Sequence, residues 1–261
     1  MTQRSVLVTG AAGHVARLLM PGLGDYSLRL VDQRRPDPDV ADVADVRLGS
    51  VVDRAFVAEV LDGVDTVVHL AANPSPTATW DALSAPNVDA VAVVLQAAVE
   101  AGVRRVVLAS SVHAMGAYVQ REQHPVDPSW PPSPCCPYGA SKAFGEALGR
   151  TYSYRTGLSV ICLRFGGVQP RPFSVGGLAS WLGPADLRQL VVRAIEAEGV
   201  SFGVYHGVSA NTRSEWDITN ARKELGYQPT CDSETFANEV HPTTTRGLCA
   251  PGPVAWPLAD Q

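Results

Sequence analysis

From residue 5 onward, short valine-rich apolar runs alternate with stretches of helical period: SVLVTG, HVARLLMPGL, SLRLVD, DRAFVAEVLDG, TVVHLAA, VDAVAVVLQAAVEAG and RRVVLASS. Strands without polar alternation suit burial on both faces, so the pattern predicts a parallel sheet covered by helices on two sides. The first 111 residues read as a doubly wound α/β fold. A helix starting near Tyr138 and the strand SVICLRF carry the alternation through about residue 166. After Gly167 the sequence turns rich in proline and glycine, then gives a helical segment, the strand-like FGVYHGVSA and a further helical segment. Residues 1–166 are expected to form the main body, and 167–261 a small C-terminal substrate lobe with a tail, together one compact unit.

With 46% apolar residues, a chain of 261 can fill a sizeable core. A net charge of -5 and the lack of any lysine or arginine block argue against nucleic acid or an anionic membrane as a partner. No run reaches the roughly 18 apolar residues of a membrane span. The N-terminus moves from Arg4 straight into VLV without a signal-peptide h-region, so a cytoplasmic location is expected. None of the five cysteines (Cys135, Cys136, Cys162, Cys231, Cys249) shows C-x-x-C spacing. They read as free thiols, with no metal site.

The first strand runs into Gly10-Ala11-Ala12-Gly13-His14-Val15-Ala16. Gly10 permits a tight turn, Gly13 lets the backbone approach a pyrophosphate, and small Ala16 lets the following helix pack closely on the strand. The second strand ends in Asp32, placed to take hydrogen bonds from the adenosine ribose hydroxyls and to repel a 2′-phosphate. NAD is the expected cofactor; Arg34 and Arg35 keep NADP possible.

In CCPYGASKAFGE, Tyr138 precedes Lys142 by one helical turn, which puts both on one face. A nearby ammonium lowers the pKa of a phenol from its usual value of about 10, toward the range where it takes a proton from an alcohol. Ser110 and Ser111, at the end of RRVVLASS, offer a hydroxyl to orient the reacting oxygen, and strand ends of this kind form the ligand crevice of a doubly wound sheet.

On the stretches TGAAGHVA, VVHLAA, LASSVHAMG and YGASKAFGE, with Asp32 and Asn87, the chain resembles the extended short-chain dehydrogenase/reductase family over nearly its whole length. YGASKAFGE, the serine stretch ending in His113, SWL, GVSANT and ELGYQP make it most similar to the uronate dehydrogenase branch. The resemblance implies a Rossmann body and NAD(P)-dependent hydride transfer at a hydroxyl or carbonyl carbon of a small molecule. Ser111 would be the catalytic serine, Tyr138 the acid/base, and Lys142 the residue that lowers its pKa and holds the nicotinamide ribose. Cofactor contacts would come from Gly10, Gly13, His14, Val15, Asp32, Ser50, Val51, Leu70, Ala71 and Ala72, joined by Tyr138 and Lys142; substrate contacts from Ser75, Ser111, Val112, His113 and Gly167. A homodimer through the two long helices is also implied. Sugar epimerase or dehydratase chemistry with retained NAD, and a non-catalytic cofactor-sensing role, are the alternatives.

Some positions depart from the branch. Val112 stands in place of an asparagine, Gly167 in place of a serine, and Gly176 in place of the arginine that grips the substrate carboxylate. A site that leaves a buried anion unpaired rejects it, so the substrate pocket is expected to be altered, unless Arg171 supplies the guanidinium. Ser50 replaces an adenine-contacting acid. The proline-rich 125–137 segment, with Trp130, is expected to be stiff and is read either as a cleft wall or as a surface connection.

Overall fold

The computed structural model describes residues 3–41, 44–242 and 248–249. Its main sheet is built from β1 (Ser5–Thr9), β2 (Ser27–Asp32), β3 (Asp45–Leu48), β4 (Thr66–His69), β5 (Arg105–Ser111) and β6 (Ser159–Phe165). A separate short pair, β7 (Gly167–Val168) and β8 (Trp181–Leu182), comes next, and β9 (Phe202–Gly207) then returns to the main sheet. The order is β3-β2-β1-β4-β5-β6-β9, with every neighbouring pair parallel. The chain reverses direction across the sheet between β1 and β4, the place where a doubly wound fold opens its crevice.

The connecting helices are α1 (His14–Leu19), α2 (Pro38–Ala41), α3 (Arg54–Val60), α4 (Trp80–Leu83), α5 (Ala90–Glu100), α6 (Gly116–Gln120), α7 (Pro137–Thr156) and α8 (Pro184–Glu196). Alternate residues of each strand feed opposite cores, as the two-residue period of a strand requires. Val6, Val8, Val68, Val107 and Ile161 meet Leu19 of α1 and Leu187, Leu190 and Ile195 of α8. Leu7, Val67, Val106, Leu108 and Val160 meet Val57 and Val60 of α3, and Val91, Val94 and Leu95 of α5. Double-sided burial explains why these strands read as unbroken apolar runs.

The 80–100 segment is continuously helical and, with a mean hydropathy of 1.5, long and apolar enough by composition to cross a membrane. Its apolar surface is spent inside the molecule instead, with Ala90, Val94, Leu95 and Ala98 at most 1% exposed in the core under the sheet. The sheet itself extends past residue 166, because β9 pairs with β6 along its length and α8 packs on the same core as α1. The residues after β6 therefore supply both part of the main body and the small β7–β8 pair. A third cluster, Val112, Met115, Val119, Val126, Val208 and Trp216, lies beyond the end of β5 and secures the 112–126 loop.

Candidate active site

The ends of β1, β2, β4, β5 and β6 open on a cleft of about 880 Å³, a volume in the range of small-molecule and cofactor sites. At its floor, Gly10 has φ 70°, and a side chain there would bring a Cβ within 2.7 Å of the Ala71 backbone nitrogen. Only glycine accepts both the left-handed conformation and the close approach of the β4 end. Thr9 holds that approach by accepting a hydrogen bond from the Ala71 N–H at 3.2 Å, while its hydroxyl meets His69 Nδ1 at 2.8 Å. His69 is buried, and burial first, then the charge of Lys142, pushes its pKa down to about 3.

Asp32, at the end of β2, also lines the cleft. Its carboxylate accepts the Ala12 N–H and the Arg34 N–H, each at 3.0 Å, which fixes the carboxylate against the glycine loop. Gly13, His14, Val15, Ser50, Val51, Leu70, Ala71 and Ala72 line the same cleft, so every residue predicted to contact the cofactor is gathered there.

The two serines at the end of β5 have different surroundings. Ser110 Oγ donates to Glu146 Oε1 at 2.5 Å. Glu146 in turn receives both Arg164 Nε at 2.8 Å and Arg164 Nη2 at 2.7 Å, in an ion pair whose side chains are 6% and 2% exposed. Arg164 Nη1 reaches on to the Pro128 carbonyl at 3.1 Å. Ser110 is thus a member of a buried structural network, while Ser111 Oγ accepts the His113 N–H at 3.2 Å and lines the cleft together with Tyr138.

Tyr138 sits in the first turn of α7, where Pro137 occupies the start and Cys136 Sγ accepts the Gly139 N–H at 3.4 Å. Gly139 permits the docking of this turn, since a Cβ there would fall 2.2 Å from the His113 carbonyl oxygen. Lys142, one turn later, donates to the Ala109 carbonyl at 2.8 Å and places Nζ 5.7 Å from the Tyr138 ring centre. The register of α7 is held by Asn87, 1% exposed, whose amide donates to Ser141 Oγ at 3.0 Å; Ser141 Oγ donates to the Tyr138 carbonyl at 2.7 Å.

The expected lowering of the Tyr138 pKa by Lys142 is not what these surroundings produce. Burial pushes the phenol up to about 12, against the lowering influence of the nearby Ser111 hydroxyl, and pushes the Lys142 ammonium down to about 8. Burial is the largest influence on the phenol, and Lys142 Nζ stands beside the ring, 5.7 Å from its centre, donating to a carbonyl.

Of the residues predicted to touch substrate, Ser111 and His113 line the cleft. Val112 does not: it is 1% exposed and fills the third apolar cluster, because the chain turns into a short helical turn directly after Ser111 and sends this side chain inward. Gly167 is exposed and pairs with Trp181, while its neighbours Gly166 and Val168 line the cleft. Ser75 is held in its own loop, its N–H on Asn73 Oδ1 and its hydroxyl 3.1 Å from that of Thr77, and Pro74 takes the lining position. Arg171 is on the surface, ion-paired with Glu239 at 3.0 Å. The 125–137 segment contributes no lining residue; Trp130 packs against Tyr118 at a tilt, ring centres 5.0 Å apart. Pro74, Pro86, Phe165 and Gln169 line the cleft unpredicted, although the strand order places residues after β6 beside those after β5.

One grouping beside the site was not anticipated. His113 Nδ1 lies 3.4 Å from Cys135 Sγ, 3.5 Å from Cys136 Sγ and 3.3 Å from Cys249 Sγ. Hydrogen bonds from Cys135, then Cys249, hold the Cys136 thiol far below the usual thiol range.

The profile of the NAD dependent epimerase/dehydratase family matches residues 6–169. The chain belongs to this family. It is 36% identical to an NAD-dependent glucose-6-phosphate dehydrogenase from Haloferax volcanii, over 91% of this chain and 97% of that protein. It is 34% identical to an L-arabinose 1-dehydrogenase (NAD(P)(+)) of the same organism, over 88% and 98%. A crystal structure of a tyrosine-to-alanine mutant of uronate dehydrogenase from Agrobacterium tumefaciens, complexed with NAD, superposes with a TM-score of 0.85 at 29% identity, covering 93% of this chain and 91% of that one. The glycine loop, the Asp32 carboxylate and the cleft fit the family's NAD, with Gly10 leaving room that a Cβ would close.

Proposed function

We propose that this protein is an NAD-dependent dehydrogenase acting on a small neutral hydroxyl compound, a sugar without a free carboxylate being the leading candidate. The observation that carries the reading is the convergence of Ser111, Tyr138 and Lys142 on one cleft at the end of β5, with Lys142 held on the Ala109 carbonyl beside the Tyr138 ring. Lys142 and Tyr138 hold the nicotinamide ribose, the glycine loop the pyrophosphate, and Asp32 the adenosine ribose. Bound NAD supplies the hydride acceptor and a cationic ring that favours the phenolate. Ser111 orients the substrate oxygen, and Tyr138 accepts its proton as the carbinol C–H bond gives up its electron pair. The products are the carbonyl compound, the reduced cofactor and one proton.

The preference for a neutral substrate rests on charge. Among the described lining residues, the only guanidinium is that of Arg34, which follows Asp32 at the adenosine end; Arg171 is on the surface, bound to Glu239. A carboxylate in the substrate end would have no bidentate partner. The reading extends to a cytoplasmic homodimer joined through α5 and α7, where Phe144 is 39% exposed; molecular mass in solution checks it.

The test is NADH formation on a panel of galacturonate, glucuronate, glucose 6-phosphate, neutral aldoses and apolar secondary alcohols. Turnover confined to the uronates or to glucose 6-phosphate, the anionic members of the panel, overturns the substrate class. Tyr138→Phe is expected to lower kcat by at least about 10²-fold while NAD still binds, and unchanged turnover in that variant sinks the catalytic assignment.

A further inference from the structure

We propose that His113, Cys135, Cys136 and Cys249 form a closed four-ligand site for one zinc ion, which ties Cys249 to the turn carrying His113 and to the start of the helix carrying Tyr138. All four donor atoms lie within 4.8 Å of one another. For zinc, Zn–S bonds of about 2.3 Å and Zn–N bonds of about 2.0–2.1 Å at tetrahedral angles put nitrogen about 3.5 Å from each sulfur. The three observed separations are 3.4, 3.5 and 3.3 Å. The same bond length and angle put two sulfurs about 3.8 Å apart, so the Cys135 and Cys249 sulfurs, at 3.3 Å, would separate slightly on ligation.

The donor set decides the metal class. Three sulfurs and one imidazole suit zinc, a borderline-soft ion that takes four ligands when its role is structural. Among the described residues no carboxylate joins the group, which disfavours calcium and magnesium. Binding exchanges the thiol protons for the cation and changes no oxidation state. A disulfide could join only two of these sulfurs and would leave the third thiol and the inward-turned Nδ1 without a role.

The three segments brought together are otherwise distant in sequence. His113 belongs to the turn after β5, Cys135 and Cys136 precede α7, and Cys249 lies more than a hundred residues later. The last of these is already docked: Gln120 Nε2 donates to the Cys249 carbonyl at 2.8 Å, and Leu248 packs on the third apolar cluster. Ligation through Nδ1 would also fix the tautomer of His113, leaving Nε2–H on the ring that lines the cleft and meets Tyr138 edge-on at 5.6 Å.

The experiment is metal analysis of the full chain purified under reducing conditions, followed by chelator stripping and reconstitution with cobalt(II). About one zinc per chain that survives desalting, and a cobalt form with the visible absorption of tetrahedral thiolate ligation, are expected. Cys135→Ser and Cys249→Ser should each lose at least about tenfold in zinc affinity, in the range that disturbing a ligand or its support costs. Cys231→Ser, outside the group, should keep it. Retained NAD binding shows that a metal-free variant is folded. Wild-type protein that carries no zinc and gives no cobalt band overturns the proposal, as does mass spectrometry showing a Cys135–Cys249 disulfide in the native protein. None of these readouts depends on which alcohol the protein oxidises.

Discussion

Two adjacent serines at the end of β5 are expected to respond to the same substitution in opposite ways. Ser110 donates to the Glu146 carboxylate at 2.5 Å, with Ser110 and Glu146 both 5% exposed. A hydrogen bond to a buried charge contributes about 1.5–3 kcal/mol, so Ser110→Ala should lower the unfolding free energy by that amount. It should leave kcat within about tenfold, because the Ser110 hydroxyl is turned to the network and not to the reacting oxygen. Ser111→Ala removes the donor that orients the substrate oxygen, and loss of one such donor costs about 10²–10³-fold in kcat. Its effect on stability should stay below about 1 kcal/mol, since its partner, the His113 N–H, lies at the cleft where water can replace the hydroxyl. Urea unfolding with a common m-value and steady-state NADH formation read the two effects separately. Equal loss of turnover in both variants, or an unmoved unfolding midpoint in Ser110→Ala, would refute the division.

Glu146→Gln should destabilise more than Ser110→Ala, by about 3–5 kcal/mol, because it strands the Arg164 guanidinium in a site where that side chain is 2% exposed; denaturant unfolding within about 1 kcal/mol of wild type contradicts this. His69 and His206 are buried neutral, their pKa values pushed from 6.5 down to about 3. The unfolded chain takes up protons there below pH 6.5 while the folded chain does not, so stability is full above that value and falls as pH drops toward 3. At pH 5 the two sites together cost about 4 kcal/mol relative to pH 7, and a loss under about 1 kcal/mol in pH-dependent unfolding would mean they are not buried neutral. Asp32→Asn should cut the preference for NAD over NADP by at least about tenfold, or 1.4 kcal/mol, as repulsion of a 2′-phosphate is relieved; the ratio of kcat/KM values checks it.

The sheet was legible because its strands are buried on both faces, which leaves unbroken runs such as TVVH and RVVLASS that local reading detects. The glycine loop was legible because Gly10 answers a backbone demand, a positive φ against Ala71, that only glycine meets. Side-chain direction was harder to read. Val112 differs from its neighbours Ser111 and His113 in facing the core, and nothing in the string SSVHA marks the helical turn that sends it there. The sign of the Tyr138 shift was also hidden, since spacing gives the proximity of Lys142 but not the depth of burial that opposes it. Cys249 could not be paired with His113 from sequence, because the partners are separated by 136 positions and share no local motif.

The same geometry links the two proposals through charge. His113 stands between the cleft and the thiol cluster, lining one and presenting Nδ1 to the other. Three thiolates around a divalent cation leave one net negative charge, and it would sit behind the histidine that faces the substrate end. A neutral substrate is indifferent to that charge to first order, while a carboxylate placed there would meet it with no guanidinium to offset it. Stripping the metal removes the cation and lets the thiols reprotonate, so discrimination against anionic sugars should weaken in the metal-free protein even as kcat for neutral substrates falls through loosened positioning of His113. Measured as the ratio of kcat/KM for a neutral aldose to that for the matching uronate, the change should favour the uronate; a ratio that stays fixed would mean the cluster holds structure without shaping the field of the site.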